Sequence, residues 1–325
     1  MTRSPWRWKP DVTAGASTGP GCANCACARE IIPLCSWSPP RPRSPSSPPP
    51  SGGDAEAGAL GRSPRPGPRE GRGAVRTLRL ALEYDGTGYC GWQRQRGSAA
   101  AGAPSVQATV EAAVRAVTGE AVAVVGAGRT DAGVHALGQV AHLVTGSRIA
   151  AGRFPGALNA HLPADIRVLE AHEAPTGFHA RFDAISRTYR YEILNRPVPS
   201  ALLRVRAYHV PDPLDTEAMQ RSLTPLLGRH DFAAYRGAGT PTRTTLCTIS
   251  RAECRRTGAR VRVTITADWF LRHMVRILVG TLIRVGTGRL PAEAPAVFLS
   301  DPDNRRTGPN VPAHGLYLVR VDYAP

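Results

Sequence analysis

Eleven residues of this chain set a guanidinium and a carboxylate among glycines: Gly126-Ala127-Gly128-Arg129-Thr130-Asp131-Ala132-Gly133-Val134-His135-Ala136. An aspartate presented this way can act as a covalent nucleophile or as a base. The glycines let the backbone turn tightly and approach a ligand closely. A plain polar turn would draw on the same residue types, because Asp and Gly are ordinary turn formers. A dinucleotide-binding fingerprint does not fit. Gly126-x-Gly128-x-x leads to Asp131 instead of a third glycine, and no helix clearly follows.

Other side chains with chemical potential are scattered. Tyr189 alternates with polar neighbours and reads, on its own, as a core tyrosine. Arg272, Arg276 and Arg284 recur at helical spacing, the pattern of a solvated helix face. All nine histidines follow residue 74, and none forms an HxxxH-type pair. Lys9 is the only lysine, which excludes Schiff-base chemistry and a Walker-type phosphate lysine from residues 75–325. Cys22-Ala23-Asn24-Cys25 resembles half a zinc site, but no second pair follows at ligand spacing. Cys90, Cys247 and Cys254 are scattered like reduced thiols, so no metal site is expected.

Periodicity supplies the elements that must position these groups. Residues 77–84 alternate, with Leu78, Leu80, Leu82 and Tyr84 on one strand face. Ser105 caps a helix carrying Val106, Val110, Val114 and Val117, which Gly119 stops. Residues 121–125 and 139–144 read as strands on either side of the glycine-rich loop. Farther on, 188–194 alternates with Tyr189, Tyr191 and Ile193 together, 216–227 reads as a helix, and Val261, Val263, Ile265 and Ala267 share a strand face. Phe270 to about Val285 is predicted as an amphipathic helix ended by Gly286. The elements interleave without a strict βαβ rhythm, which predicts an α+β fold. A strand–helix–strand–strand order in both halves predicts two related subdomains, 75–180 and 181–325, with mixed antiparallel sheet flanked by helices.

Residues 1–74 differ in kind. They hold 14 of the 30 prolines and lack a sustained apolar period, the composition of a disordered leader. The formal charge is +16, of which residues 75–325 carry +11. A basic domain fits a polyanionic partner such as RNA, and equally a coding bias toward arginine. No apolar run reaches the roughly 18 residues that span a bilayer. The expectation is a cytoplasmic protein without membrane association.

Taken together, GRTDAGVHA and its continuation Gly138-Gln139-Val140-Ala141-His142 resemble the catalytic motif of the TruA family of tRNA pseudouridine synthases. Further ordered blocks carry the resemblance across about residues 75–325. They are Tyr84-Asp85-Gly86-Thr87 with Gly91-Trp92-Gln93, Asn159-Ala160-His161-Leu162-Pro163, Phe178-His179-Ala180-Arg181-Phe182, Arg187-Thr188-Tyr189-Arg190-Tyr191, Gly228-Arg229-His230-Asp231-Phe232, Phe270-Leu271-Arg272-His273-Met274-Val275-Arg276, and Ala313-His314-Gly315-Leu316-Tyr317-Leu318. The resemblance implies a pseudouridine synthase fold with Asp131 as nucleophile and Arg129 helping to flip the target nucleotide. It also implies that Tyr189 stacks on the target base and that Arg276 pairs with the carboxylate. Two parallel hydrogen bonds are the expected form of that pair. The implied substrate is the anticodon stem-loop of tRNA, at tRNA positions 38, 39 and 40, and the implied assembly is a homodimer. The family pattern begins close to the first strand, where Val75 stands in place of a starting methionine. A start codon read at Val75 would leave residues 1–74 outside the enzyme, and a transit segment is the other reading of the leader.

Isomerising uridine breaks its N-glycosidic bond, turns the uracil, and joins C5 to the ribose C1′. Nothing is oxidised or added, so the implied chemistry uses no cofactor. It uses a carboxylate, a stacking aromatic and a positive cleft for a base withdrawn from its stack. Two other classes stay open on sequence. A non-catalytic RNA-binding module would explain the charge but has no use for the Asp131 loop. A carboxylate-dependent glycosidic hydrolase would normally need a second acid beside Asp131.

Overall fold

The computed structural model describes residues 74–94, 102–239, 242, 244–301 and 304–324. The proline-rich leader and its cysteine cluster lie outside them. β1 (Arg76–Tyr84) is the alternating strand the sequence predicts, and Leu78, Leu80 and Leu82 are fully buried. α1 (Val106–Thr118) starts where the Ser105 hydroxyl accepts the Ala108 N–H, and it ends at left-handed Gly119. β2 (Val125–Gly126) and β3 (His135–Thr145) bracket the glycine-rich loop. α2 (Phe154–Asn159) and β4 (Ile166–Ala174) complete the first half. β5 (Ala184–Asn195), β6 (Tyr208–Val210), α3 (Thr216–Leu223), β7 (Gly228–Asp231), β8 (Leu246–Thr257) and β9 (Arg260–Ala267) follow. The chain then forms α4 (Met274–Gly286), the short α5 (Ala294–Val297) and β10 (Leu316–Tyr323).

All the strands join one sheet in the order β4-β1-β3-β10-β5-β9-β8-β7, with β2 added to β3 and β6 to β5. The last strand in sequence therefore lies mid-sheet. β10 pairs antiparallel with β5 but parallel with β3, through Tyr317 with His135 and Leu318 with Ala136. That joint brings strands from before residue 175 against strands from after it, and the glycine-rich loop enters β3 there. One face of the sheet is apolar and covered. On β9 it presents Val261, Val263, Ile265 and Ala267, none with measurable exposure. The opposite face is open and polar, with Thr188, Arg190, Arg262, Thr264, Thr266 and Arg320 along one groove. The architecture is α+β with a mixed sheet, as the sequence predicts.

Of the element boundaries that differ from the sequence expectation, three have a clear local reason. The strand expected at 121–125 is reduced to Val125–Gly126, because the Glu111 carboxylate of α1 accepts the Val124 N–H at 3.1 Å. α3 stops at Leu223 and passes into a 3-10 turn, Thr224–Leu226, whose Pro225 has no N–H to continue the helix. The helix expected from Phe270 begins only at Met274. His273, directly before it, takes a left-handed backbone conformation with φ 60° and ψ 3°. Arg276 consequently lies in the first turn of α4.

Candidate active site

The glycine-rich loop is tied down by its neighbours at almost every residue. Gly126 pairs with Ala141 across β2 and β3, and the Ala127 N–H donates to the Val140 carbonyl at 2.7 Å. The fully buried Gln139 amide donates from Nε2 to the Gly128 carbonyl at 2.7 Å, and its Oε1 lies 3.4 Å from the Gly128 nitrogen. Thr130 is held twice. Its carbonyl accepts the Trp92 N–H at 3.0 Å, and its hydroxyl lies 2.8 Å from the Tyr84 hydroxyl. Burial pushes the Tyr84 phenol up to about 12, so it stays protonated and keeps its hydrogen to donate. Gly91 permits this approach. Its φ is +103°, and a Cβ there would stand 2.5 Å from the Thr130 carbonyl oxygen. The Gly91-Trp92 block near the start of the sequence match is thus the floor beneath the loop.

From this platform Asp131 projects with about a third of its side chain exposed. Arg276 Nη1 donates to its Oδ2 at 2.9 Å, and Arg276 Nε donates to the Val311 carbonyl at 2.8 Å. The expected pair of parallel bonds is therefore a single bond, with Nε committed to backbone instead. The Val311 carbonyl is placed by the segment running over α4, where the Gly308 N–H donates to Thr281 Oγ1 at 2.8 Å. His273 Nε2 also faces Asp131 Oδ2, at 3.4 Å. Burial lowers the His273 pKa more strongly than the charge of Asp131 raises it, so the ring is neutral. The carboxylate thus faces a guanidinium and the amino-terminal end of α4, both complementary to negative charge.

Tyr189 lies on β5 with 8% exposure, edge-on to Phe270 with ring centroids 5.1 Å apart. Its hydroxyl reaches to 3.4 Å from the position a Cβ would occupy on Gly128. Burial, then the charges of Tyr84 and Asp131, push the phenol well above its ordinary range, so it is uncharged. Arg129 is exposed and has no hydrogen bond or ion pair among the described residues. The fold therefore brings Asp131, Arg276 and Tyr189 together, with Arg129 on the open side of the loop.

Sequence reasoning assigned no role to His273, Gln139 or Arg187. Buried Arg187 has no carboxylate partner among the described residues. Its Nη1 donates to the Ala184 and Asp268 carbonyls, and its Nη2 to those of Ala127 and Arg181. It joins the root of the Asp131 loop to the 178–184 segment and to the end of β9. All three residues sit inside the quoted blocks, but periodicity carries no signal for contacts between separate elements, such as that of Arg187 with Ala127 sixty residues away.

A neighbouring polar cluster shows how a charged-looking pair can be neutral. His135 Nδ1 is 3.0 Å from Asp85 Oδ1, but it also accepts the Gly86 N–H, while Nε2–H points at the Val205 and His314 carbonyls. Burial lowers the His135 pKa more than Asp85 raises it, which favours the uncharged ring.

The chain was compared with known families and proteins. A family model described as tRNA pseudouridine synthase matches residues 80–183 and 223–324. Tyr84, Asp131 and Tyr323 fall within it, as do both faces of the Asp131–Arg276 pair. The chain is 47% identical over 249 residues to tRNA pseudouridine synthase A of Acetivibrio thermocellus, a match covering 77% of this chain and 100% of that one. It is 45% identical over 246 residues to the protein of the same name from Moorella thermoacetica, covering 76% and 99%. With that of Methylobacterium radiotolerans it shares 44% over 252 residues, covering 76% and 98%.

Proposed function

The chain belongs to the tRNA pseudouridine synthase family, and from that premise we propose that it isomerises uridine to pseudouridine in the anticodon stem-loop of tRNA, at tRNA positions 38, 39 and 40. Asp131 is the nucleophile. The observation that carries this reading is a carboxylate held at one oxygen by Arg276 at 2.9 Å, on an anchored loop that leaves its other side open. Asp131 attacks C1′ as the bond to uracil N1 breaks. The freed uracil turns, its C5 replaces the carboxylate at C1′, and the C5 proton is lost while N1 ends protonated. The product is an isomer of the substrate, and the carboxylate is regenerated.

The other residues serve recognition. Arg129, exposed beside Asp131, meets the phosphate backbone and helps withdraw the target nucleotide from its stack. Tyr189, uncharged and under the loop, supplies the aromatic surface for the withdrawn base. Shape and flexibility of the stem-loop, rather than base identity, select the substrate. Among the described residues no helix is long and apolar enough to cross a membrane, and we place the enzyme in the cytoplasm as a homodimer. Nucleoside analysis of tRNA incubated with the protein tests the chemistry, with pseudouridine at positions 38, 39 and 40 as the expected result. Released uracil would identify a hydrolase, and unchanged tRNA a binding module. Light scattering tests the dimer.

A further inference from the structure

His273 is the only non-glycine residue with positive φ among the described residues. A Cβ disfavours that conformation, and such positions persist where the surroundings over-determine them. Here they do. The Arg272 carbonyl accepts the Gly237 N–H at 2.8 Å, the His273 carbonyl accepts the Ile277 N–H at 3.0 Å, and Arg272 Nη1 donates to the Ala238 carbonyl at 2.9 Å. Gly237 also leaves the space that the imidazole fills, since a Cβ on it would fall 2.5 Å from His273 Nδ1.

The ring is oriented as well as placed. Asn310 Nδ2, which can only donate, stands 3.1 Å from Nδ1, so Nδ1 accepts and the ring hydrogen sits on Nε2. Nε2 faces Asp131 Oδ2 at 3.4 Å, a contact longer than an ordinary hydrogen bond and of the kind that tightens when substrate fills a site. Arg276 Nη1 approaches the same oxygen at 2.9 Å. Both nitrogens approach Oδ2, Arg276 in a made hydrogen bond and His273 just outside hydrogen-bond geometry, while Oδ1 has no hydrogen-bond partner among the described residues. One donor alone would leave the carboxylate free to rotate and exchange its oxygens; two from different directions fix its plane.

We infer that His273 is a positioning residue which, with Arg276, holds Oδ2 of Asp131 and thereby assigns Oδ1 as the oxygen that meets the ribose C1′. The inference rests on Asp131 acting at the ribose. His273→Gly in the full chain tests it, because glycine adopts this φ without strain, which offsets the lost packing of the ring and keeps the variant folded. We expect the single-turnover rate on tRNA to fall on the order of tenfold or more, with tRNA affinity unchanged within about twofold and part of the rate restored by added imidazole. Asn310→Ala, which frees the ring tautomer, should lower the same rate by a smaller factor. A stable His273→Gly protein with wild-type single-turnover rate would show that the strained histidine serves packing alone. Should that variant not fold, His273→Asn, which also tolerates this conformation, carries the same test, and a wild-type rate there overturns the inference equally. Wild-type protein forming no pseudouridine would instead overturn the proposed function, so the two failures are distinct.

Discussion

Arg276 meets Asp131 through a single nitrogen: Nη1 bonds Oδ2 at 2.9 Å, while Nε is committed to the Val311 carbonyl at 2.8 Å. The guanidinium therefore links the carboxylate to the segment lying over α4, and a substitution there breaks two connections. Arg276→Leu should lower kcat on the order of a hundredfold, because the partner charge is left without its donor in a partly buried site. Arg276→Lys keeps charge but offers no second planar donor for Val311, so it should fall between wild type and Leu. Among the described residues the Arg284 side chain donates only to the Arg306 and Thr307 carbonyls, and Arg284→Leu should change kcat less than about threefold. Equal small losses in steady-state kinetics for the two leucine variants would disprove the pairing.

Asp131→Asn preserves shape and removes the charge. Product formation should drop by about a thousandfold or more, while tRNA affinity, set by exposed arginines and loop shape, stays within a few-fold. Filter binding and nucleoside analysis on the same preparation separate the two effects. Turnover near wild type would remove Asp131 from the chemistry.

How legible was this in the sequence? Locally encoded features were plain. The alternation of Leu78, Leu80 and Leu82 and the Ser105 and Gly119 caps of α1 depend on neighbours within a turn or two. Boundaries failed where a distant or side-chain partner intervened, as when Glu111 takes the Val124 N–H, or where His273 turns left-handed although the apolar period runs through it. The pairing of Asp131 with Arg276, 145 residues apart, was reached only through resemblance, since spacing alone read the arginine row as a solvated face. Even then guanidinium geometry pointed to a two-bond fork. The competing claim of a backbone carbonyl has no expression in residue type.

Arg187 gives a third prediction. Its buried guanidinium supplies donors to four carbonyls, those of Ala184, Asp268, Ala127 and Arg181. Arg187→Met would keep the apolar stem and strand those acceptors, which should cost roughly 2–4 kcal/mol of stability. Because Ala127 begins the Asp131 loop, activity should fall further than the loss of folded protein explains. Chemical denaturation combined with kcat per folded molecule checks both halves.

Residues 1–74 should be dispensable for the chemistry. Among the described residues the buried core falls between Leu78 and Val321, and the family model matches from residue 80 onward. A chain starting at Val75 should fold and modify tRNA at the wild-type rate. The ten basic and five acidic residues removed should alter only weak, salt-sensitive RNA affinity. Loss of activity in that shortened chain at low salt would return the leader to the enzyme.

The histidines predict a pH limit on stability. His135, His142, His273 and His314 all have pKa values lowered from the ordinary 6.5, in each case with burial as the largest cause. In the folded protein these rings stay neutral where the unfolded chain already binds protons. Above the ordinary value both states are neutral and their contribution to stability is complete. As pH falls through the ordinary value toward the folded ones, the unfolded state binds more protons and stability declines; below the folded values the loss is finished. Asp85, which burial alone would raise but which the Thr87 hydrogen bonds and the Arg206 charge together hold low, adds a loss of the same sign in the carboxylate range. His135 should dominate the neutral-range slope, since its ring is almost fully enclosed and both nitrogens are engaged. Each proton fully displaced contributes up to about 1.4 kcal/mol per pH unit. Thermal melts from about pH 7.5 to 5 should therefore show a falling Tm. His135→Gln, which cannot titrate, should lower Tm at pH 7.5 and flatten the fall below 6.5. A wild-type Tm that rose or stayed level over that range would mean that these rings are charged in the fold, and the neutral assignment of His135 and His273 would fail with it.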